Sequence, residues 1–138
     1  MNRADLQALA EMRIADAKAL LDTGRFAGAY YLAGYALECA IKAFVAKQTN
    51  QFDFPDKTLV EKVYKHDPEA LIRGAGLEQT LTDEMDKDGQ FAVNWAEAKT
   101  WSEKSRYSPT VDKQKAQDLI AALSDGSHGV LQWLKRFW

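Results

Sequence analysis

The chain has a single cysteine among its 138 residues, Cys39, so an intramolecular disulfide is excluded, as is a metal site built on paired thiolates. Cys39 lies in an apolar run beside Ala and Ile with no adjacent base, which points to buried packing rather than a reactive thiolate, and a reducing cytoplasm is the expected compartment. Nowhere do about 20 consecutive apolar residues run without a charge, and the first residues are charged and periodic, so neither a membrane span nor a signal peptide is expected. The charge has no dominant sign: net −2 with both signs interspersed gives no global basic field for duplex DNA or bulk RNA. Also missing are a Gly-rich phosphate loop, a Gly-x-Ser-x-Gly elbow and a His-Glu-x-x-His pair, which removes the common nucleotide-binding, hydrolase and zinc-protease readings. With only two histidines, His66 and His128, a metal centre would need carboxylates from elsewhere, and none is expected; no cofactor is implied either.

Period-two alternation is absent as well, and every clear pattern has helical spacing. Asn2 caps a first amphipathic helix carrying Leu6, Ala10, Ile14, Ala17 and Leu21, stopped at Gly24. From Arg25 to about Lys47 the text is Ala-rich and apolar on nearly every face, as expected of a central helix surrounded by others. QTNQFDFPDKT reads as a connection and LVEKVYK as a short turn or helix. Asp67-Pro68-Glu69 starts a short helix ended by Gly74 and Gly76, and an acidic helix covers Leu77 to Asp88. Phe91, Trp95 and Ala98 share a face of the next, leading to Trp101 and a loop, SEKSRYSP. From about Val111 to the C-terminus, Ala116, Ile120, Leu123, Ser127, Val130, Leu134 and Phe137 form a seven-residue stripe on one last helix, bent near Ser127 by Gly126 and Gly129. The expectation is all-α: residues 1–138 as a single antiparallel bundle of about five helices.

Polar chemistry concentrates in a few places. Tyr31, Tyr35, Glu38 and Lys42 recur at steps of four, three and four, which puts two phenols, a carboxylate and an ammonium on one stripe of the central helix. That stripe is either an exposed ion pair with tyrosines at the rim or a polar cleft in which Glu38 holds a cation and a tyrosine stacks on a base. His66, just before a helix cap, is a general acid or base, or hydrogen-bonds a loop carbonyl. Arg106, followed by Tyr107, can pair with phosphate or with a buried carboxylate such as Glu38.

The segments AYYLAGYALECAIKA, YKHDPEALIRGAGL, WAEAKTW, SRYSP and VLQWLKRFW, in this order, resemble bacterial HEPN-domain proteins over most of the chain. The resemblance implies a helical bundle, commonly a homodimer, often acting with a nucleotidyltransferase-like partner protein in toxin–antitoxin or defence systems. Its ribonuclease members carry an Arg separated from a His by four to six residues, a pair that activates a ribose 2′-hydroxyl and stabilises phosphate without metal. Neither Arg106 nor Arg73 is followed by such a histidine, and neither His66 nor His128 has such an arginine upstream.

Three functions are therefore weighed. In the first, a HEPN-like domain without the ribonuclease motif binds a partner protein or a nucleotide-containing ligand through the stripe Tyr31, Tyr35, Glu38 and Lys42 together with Arg106 and Tyr107. In the second, a metal-independent endoribonuclease uses a rearranged site in which His66 is the acid or base, Arg106 holds phosphate and Glu38 orients one of them. In the third, a helical adaptor dimerises through Ile120, Leu123, Val130 and Leu134 of the last stripe.

Overall fold

The computed structural model describes residues 2–48 and 65–138, so the connection QTNQFDFPDKT, apart from Gln48, and the segment LVEKVYK, apart from Lys65, lie outside the described residues. The described residues are all-helical, with no strand among them. Helix α1 runs Arg3–Asp22 and is opened by a reciprocal cap, the Asn2 side chain accepting from the Asp5 backbone N–H at 2.8 Å while the Asp5 carboxylate accepts from Asn2 N–H at 3.1 Å. It ends at Gly24, whose φ of 78° turns the chain directly into α2, Phe26–Lys47. The short connection makes the two an antiparallel hairpin, and α1 buries Ala10, Ile14 and Ala17 along α2.

Helix α2 is the hub, touching α1, the 3₁₀ helix Glu103–Tyr107 and the helices Pro68–Gly74, Lys113–Ser124 and Val130–Lys135. Ala29, Ala33, Ala36, Ala40 and Ala43 form a column at steps of four and three, all with zero exposure, and their small side chains allow neighbouring backbones to approach closely. Leu37 and Ile41, equally buried, each contribute about 1.5–3 kcal/mol of apolar transfer free energy.

The next three helices lie where the sequence pattern puts them. Asp67 caps α3 (Pro68–Gly74) and Pro68 fills its first turn. Helices α4 (Glu78–Lys87) and α5 (Gly89–Ala98) follow, the latter capped by Asp88, whose carboxylate accepts from the N–H groups of Gln90 and Phe91 at 3.1 Å each. Phe91, Trp95 and Ala98 all face the core. The segment containing Arg106 and Tyr107 is not a loop but a 3₁₀ helix over Glu103–Tyr107.

The last stripe occupies two helices rather than one bent one: α6 (Lys113–Ser124) and α7 (Val130–Lys135). Between them the Asp125 carboxylate accepts from the N–H groups of Ser127 and His128 at 2.8 and 2.9 Å, offering the backbone an alternative to the helical ladder. Gly129 then passes so close to the Asp125 carbonyl that a Cβ has no room. Ala116, Ile120, Leu123, Val130 and Leu134 still reach the same interior, so the adaptor reading is corrected: its dimerising face is intramolecular core. An aromatic chain stitches the C-terminus to α5 and α2, with ring centroids 5.3 Å apart for Phe91–Trp133, 5.4 Å for Trp133–Phe137 and 6.1 Å for Phe44–Phe137. Among the described residues, no helix is long and apolar enough to cross a membrane.

Candidate functional site

The polar stripe of α2 meets the turn before α3 and the 3₁₀ helix. Glu38 is buried at 4% exposure, and a charge so placed needs partners. It has two on one oxygen: Lys42 Nζ donates to Oε1 at 2.6 Å, one helical turn on, and His66 Nδ1 lies 2.8 Å from the same atom. The stripe is thus not an exposed ion pair, and Glu38 does not pair with Arg106: among the described residues its partners are Lys42 and His66. The cap at Asp67 fixes the chain direction that delivers His66 to this carboxylate.

The other imidazole nitrogen, Nε2, is 3.3 Å from Oε2 of Glu103, the first residue of the 3₁₀ helix. Both imidazole nitrogens thus face carboxylates, Nδ1 that of Glu38 and Nε2 that of Glu103. His66 and Glu103 are both open to solvent, at 42% and 38% exposure. Glu103 is absent from the sequence-derived site; nothing in SEKSRYSP marks it apart from other surface acids, because its significance comes from a histidine distant in the chain.

Arg106 stands on the same 3₁₀ helix, and because residues three apart eclipse in that geometry it projects on the side of Glu103. Its guanidinium carbon lies 4.7 Å from the centroid of Tyr107, an exposed ring at 73%, and hydrogen bonding to Tyr107 first and Tyr31 next raises its pKa from the ordinary value. Tyr31 in turn stacks with Tyr35 at 6.5 Å and leans on Trp101 at 6.2 Å. Burial raises the Tyr35 hydroxyl, with Cys39 beside it, and burial likewise pushes the Cys39 thiol up, so Cys39 is a packed thiol and not a nucleophile.

Trp101 explains how the 3₁₀ helix is seated. Its indole fills the space above Gly34 of α2, where a Cβ would fall inside the ring. A glycine in mid-helix costs about 1 kcal/mol relative to Ala, and here it makes room for a tryptophan. Two buried polar atoms here, Trp101 Nε1 and Ser105 Oγ, have no hydrogen-bond partner among the described residues.

All the sequence-derived residues therefore fall on one face, in two groups. Glu38, Lys42 and His66 form a hydrogen-bonded cluster, while Tyr31, Tyr35, Arg106 and Tyr107 form an aromatic and cationic rim. Among the described residues no group of three His, Cys, Asp or Glu side chains is arranged to hold a metal ion.

His128 belongs elsewhere. Its Nδ1 is 2.7 Å from Asp88 Oδ2, and the hydrogen bond to Asp88 raises its pKa above 6.5 while His128 lowers Asp88 below 3.8; backbone N–H groups lower Asp125 as well. The histidine contribution to stability is complete below its unfolded value and lost as pH rises through the raised folded value. The carboxylate contribution is complete above their unfolded value and lost as pH falls through the lowered ones. Thermal midpoints should therefore be highest between about pH 4 and 6.5, and His128→Ala should flatten the decline on the alkaline side. An unchanged slope in the variant would assign that decline to other groups.

No family model, curated protein or solved structure matches the chain.

Proposed function

We propose that this chain is a HEPN-like domain lacking the family's ribonuclease motif that binds a nucleotide-containing ligand, a mononucleotide or short single-stranded RNA, on the face formed by Tyr31, Tyr35, Arg106 and Tyr107. The observation carrying the reading is the exposed Arg106 fork held between Tyr107 and Tyr31: a planar cation for phosphate beside aromatic faces for a base. Lys42 adds positive charge at the far end of the stripe. The resemblance adds the further proposals of a homodimer, a nucleotidyltransferase-like partner and a toxin–antitoxin or defence setting in the cytoplasm.

One observation favours metal-independent RNA cleavage as the second reading. A buried carboxylate on His66 Nδ1 orients the ring and turns Nε2 outward, the arrangement a general base requires. Against it stands Glu103, which occupies Nε2 and repels phosphate.

Titration with adenosine 5′-monophosphate and with a short single-stranded RNA, followed by calorimetry, tests the first reading. Arg106→Ala should weaken binding about tenfold, the loss of one charge-assisted hydrogen bond, with helicity unchanged. Absence of binding by the unaltered protein would sink it. Cleavage of the RNA in EDTA, lost in His66→Ala, would promote the second reading instead.

A further inference from the structure

Glu103 is the one acidic group that reaches the rim from the 3₁₀ helix, and its position is that of a ligand. Its carboxylate meets the outward nitrogen of His66 at 3.3 Å, and the inward nitrogen is already fixed by Glu38 at 2.8 Å. It shares a side of the 3₁₀ helix with Arg106, whose cation is nevertheless engaged by tyrosines, since among the described residues Arg106 makes no ion pair. The Glu103 side chain is held weakly: it is more than a third exposed, its contact is at the long end of hydrogen-bonding distance, and solvent screens such surface ion pairs.

We propose that Glu103 is an autoinhibitory gate, an internal carboxylate occupying the anion position on His66 Nε2 that the phosphate of a nucleotide takes when it binds. This inference rests on the nucleotide-binding reading and names the recognised group within it, a terminal phosphate rather than the base or sugar. The phosphate displaces Glu103, accepts from His66 Nε2–H and lies beside the Arg106 guanidinium. The imidazole and the Arg106 guanidinium then face it with Glu103 withdrawn, and both are already oriented, His66 by Glu38 and Arg106 by Tyr107.

The gate predicts a gain of function. Glu103→Gln should bind adenosine 5′-monophosphate about fivefold more tightly than the unaltered protein, the scale of an exposed charge pair, while adenosine, which lacks phosphate, binds both proteins alike. The gain should vanish in the His66→Ala background. Equal affinity of the two proteins for the nucleotide would overturn the gate and leave nucleotide binding standing. An equal gain for adenosine would overturn it in favour of simple unblocking of the face, and a gain that survives His66→Ala would place the anion elsewhere. Failure of both proteins to bind the nucleotide would overturn the gate together with the reading beneath it.

Discussion

Gly34→Ala should destabilise the protein by about 3 kcal/mol, although the same exchange in an ordinary helix interior is stabilising by about 1 kcal/mol. The reversal comes from Trp101, whose indole occupies the volume the new methyl requires. Either α2 bends, against neighbours packed on several sides, or Trp101 leaves and takes the 3₁₀ helix with it. Both routes are expensive because Trp101 is fully enclosed, with only 2% of its surface exposed. Urea denaturation read by tryptophan fluorescence measures the loss. A companion Trp101→Leu makes the assignment secure: in a double-mutant cycle, the alanine should cost far less when the indole is already gone. A purely additive cycle would mean that the two side chains do not compete for space. Because Arg106 rides on the segment that Trp101 anchors, the alanine variant should also bind nucleotide more weakly.

Glu38→Ala should cost about 2–3 kcal/mol, less than the 3–5 kcal/mol typical of breaking a fully enclosed ion pair, because Lys42 and His66 retain access to water. The variant leaves Lys42 and His66 beside each other with no carboxylate between them. Glu38→Gln keeps the shape and one acceptor oxygen, and its cost should be nearer about 1 kcal/mol. The denaturation midpoint should shift at constant slope, indicating changed stability rather than a changed unfolded state. A loss below about 0.5 kcal/mol for the alanine variant would place Glu38 among solvated surface pairs and remove the support it lends to His66.

The helical class was legible because the apolar spacing of α1 and the unbroken apolar text of α2 admit no other element, and Asn2, Gly24 and Asp67 mark boundaries through local chemistry. The break between α6 and α7 was legible only as a bend near Ser127, since the heptad spacing runs through it uninterrupted. What stops the helix is a hydrogen-bonding competition won by Asp125, and apolar periodicity is blind to side chains that bond their own backbone. The stripe Tyr31, Tyr35, Glu38, Lys42 was readable as a shared face because helical geometry alone brings it together. Its burial and its partners were not readable, since His66, Trp101 and Glu103 reach α2 only through tertiary packing. The pairing of His128 with Asp88, 40 residues apart, escaped for the same reason.

The alanine column of α2 reverses the usual ranking of substitutions. Scales that score a core position by greasiness treat Ala→Val or Ala→Leu at Ala33, Ala36 or Ala40 as an improvement, yet at zero exposure every added carbon must displace a neighbouring helix. At these positions the chain is specified by upper limits on volume, and the tolerated alphabet shrinks toward Gly, Ala and Ser. A variant library for this protein is better filtered by side-chain size along α2 than by hydrophobicity.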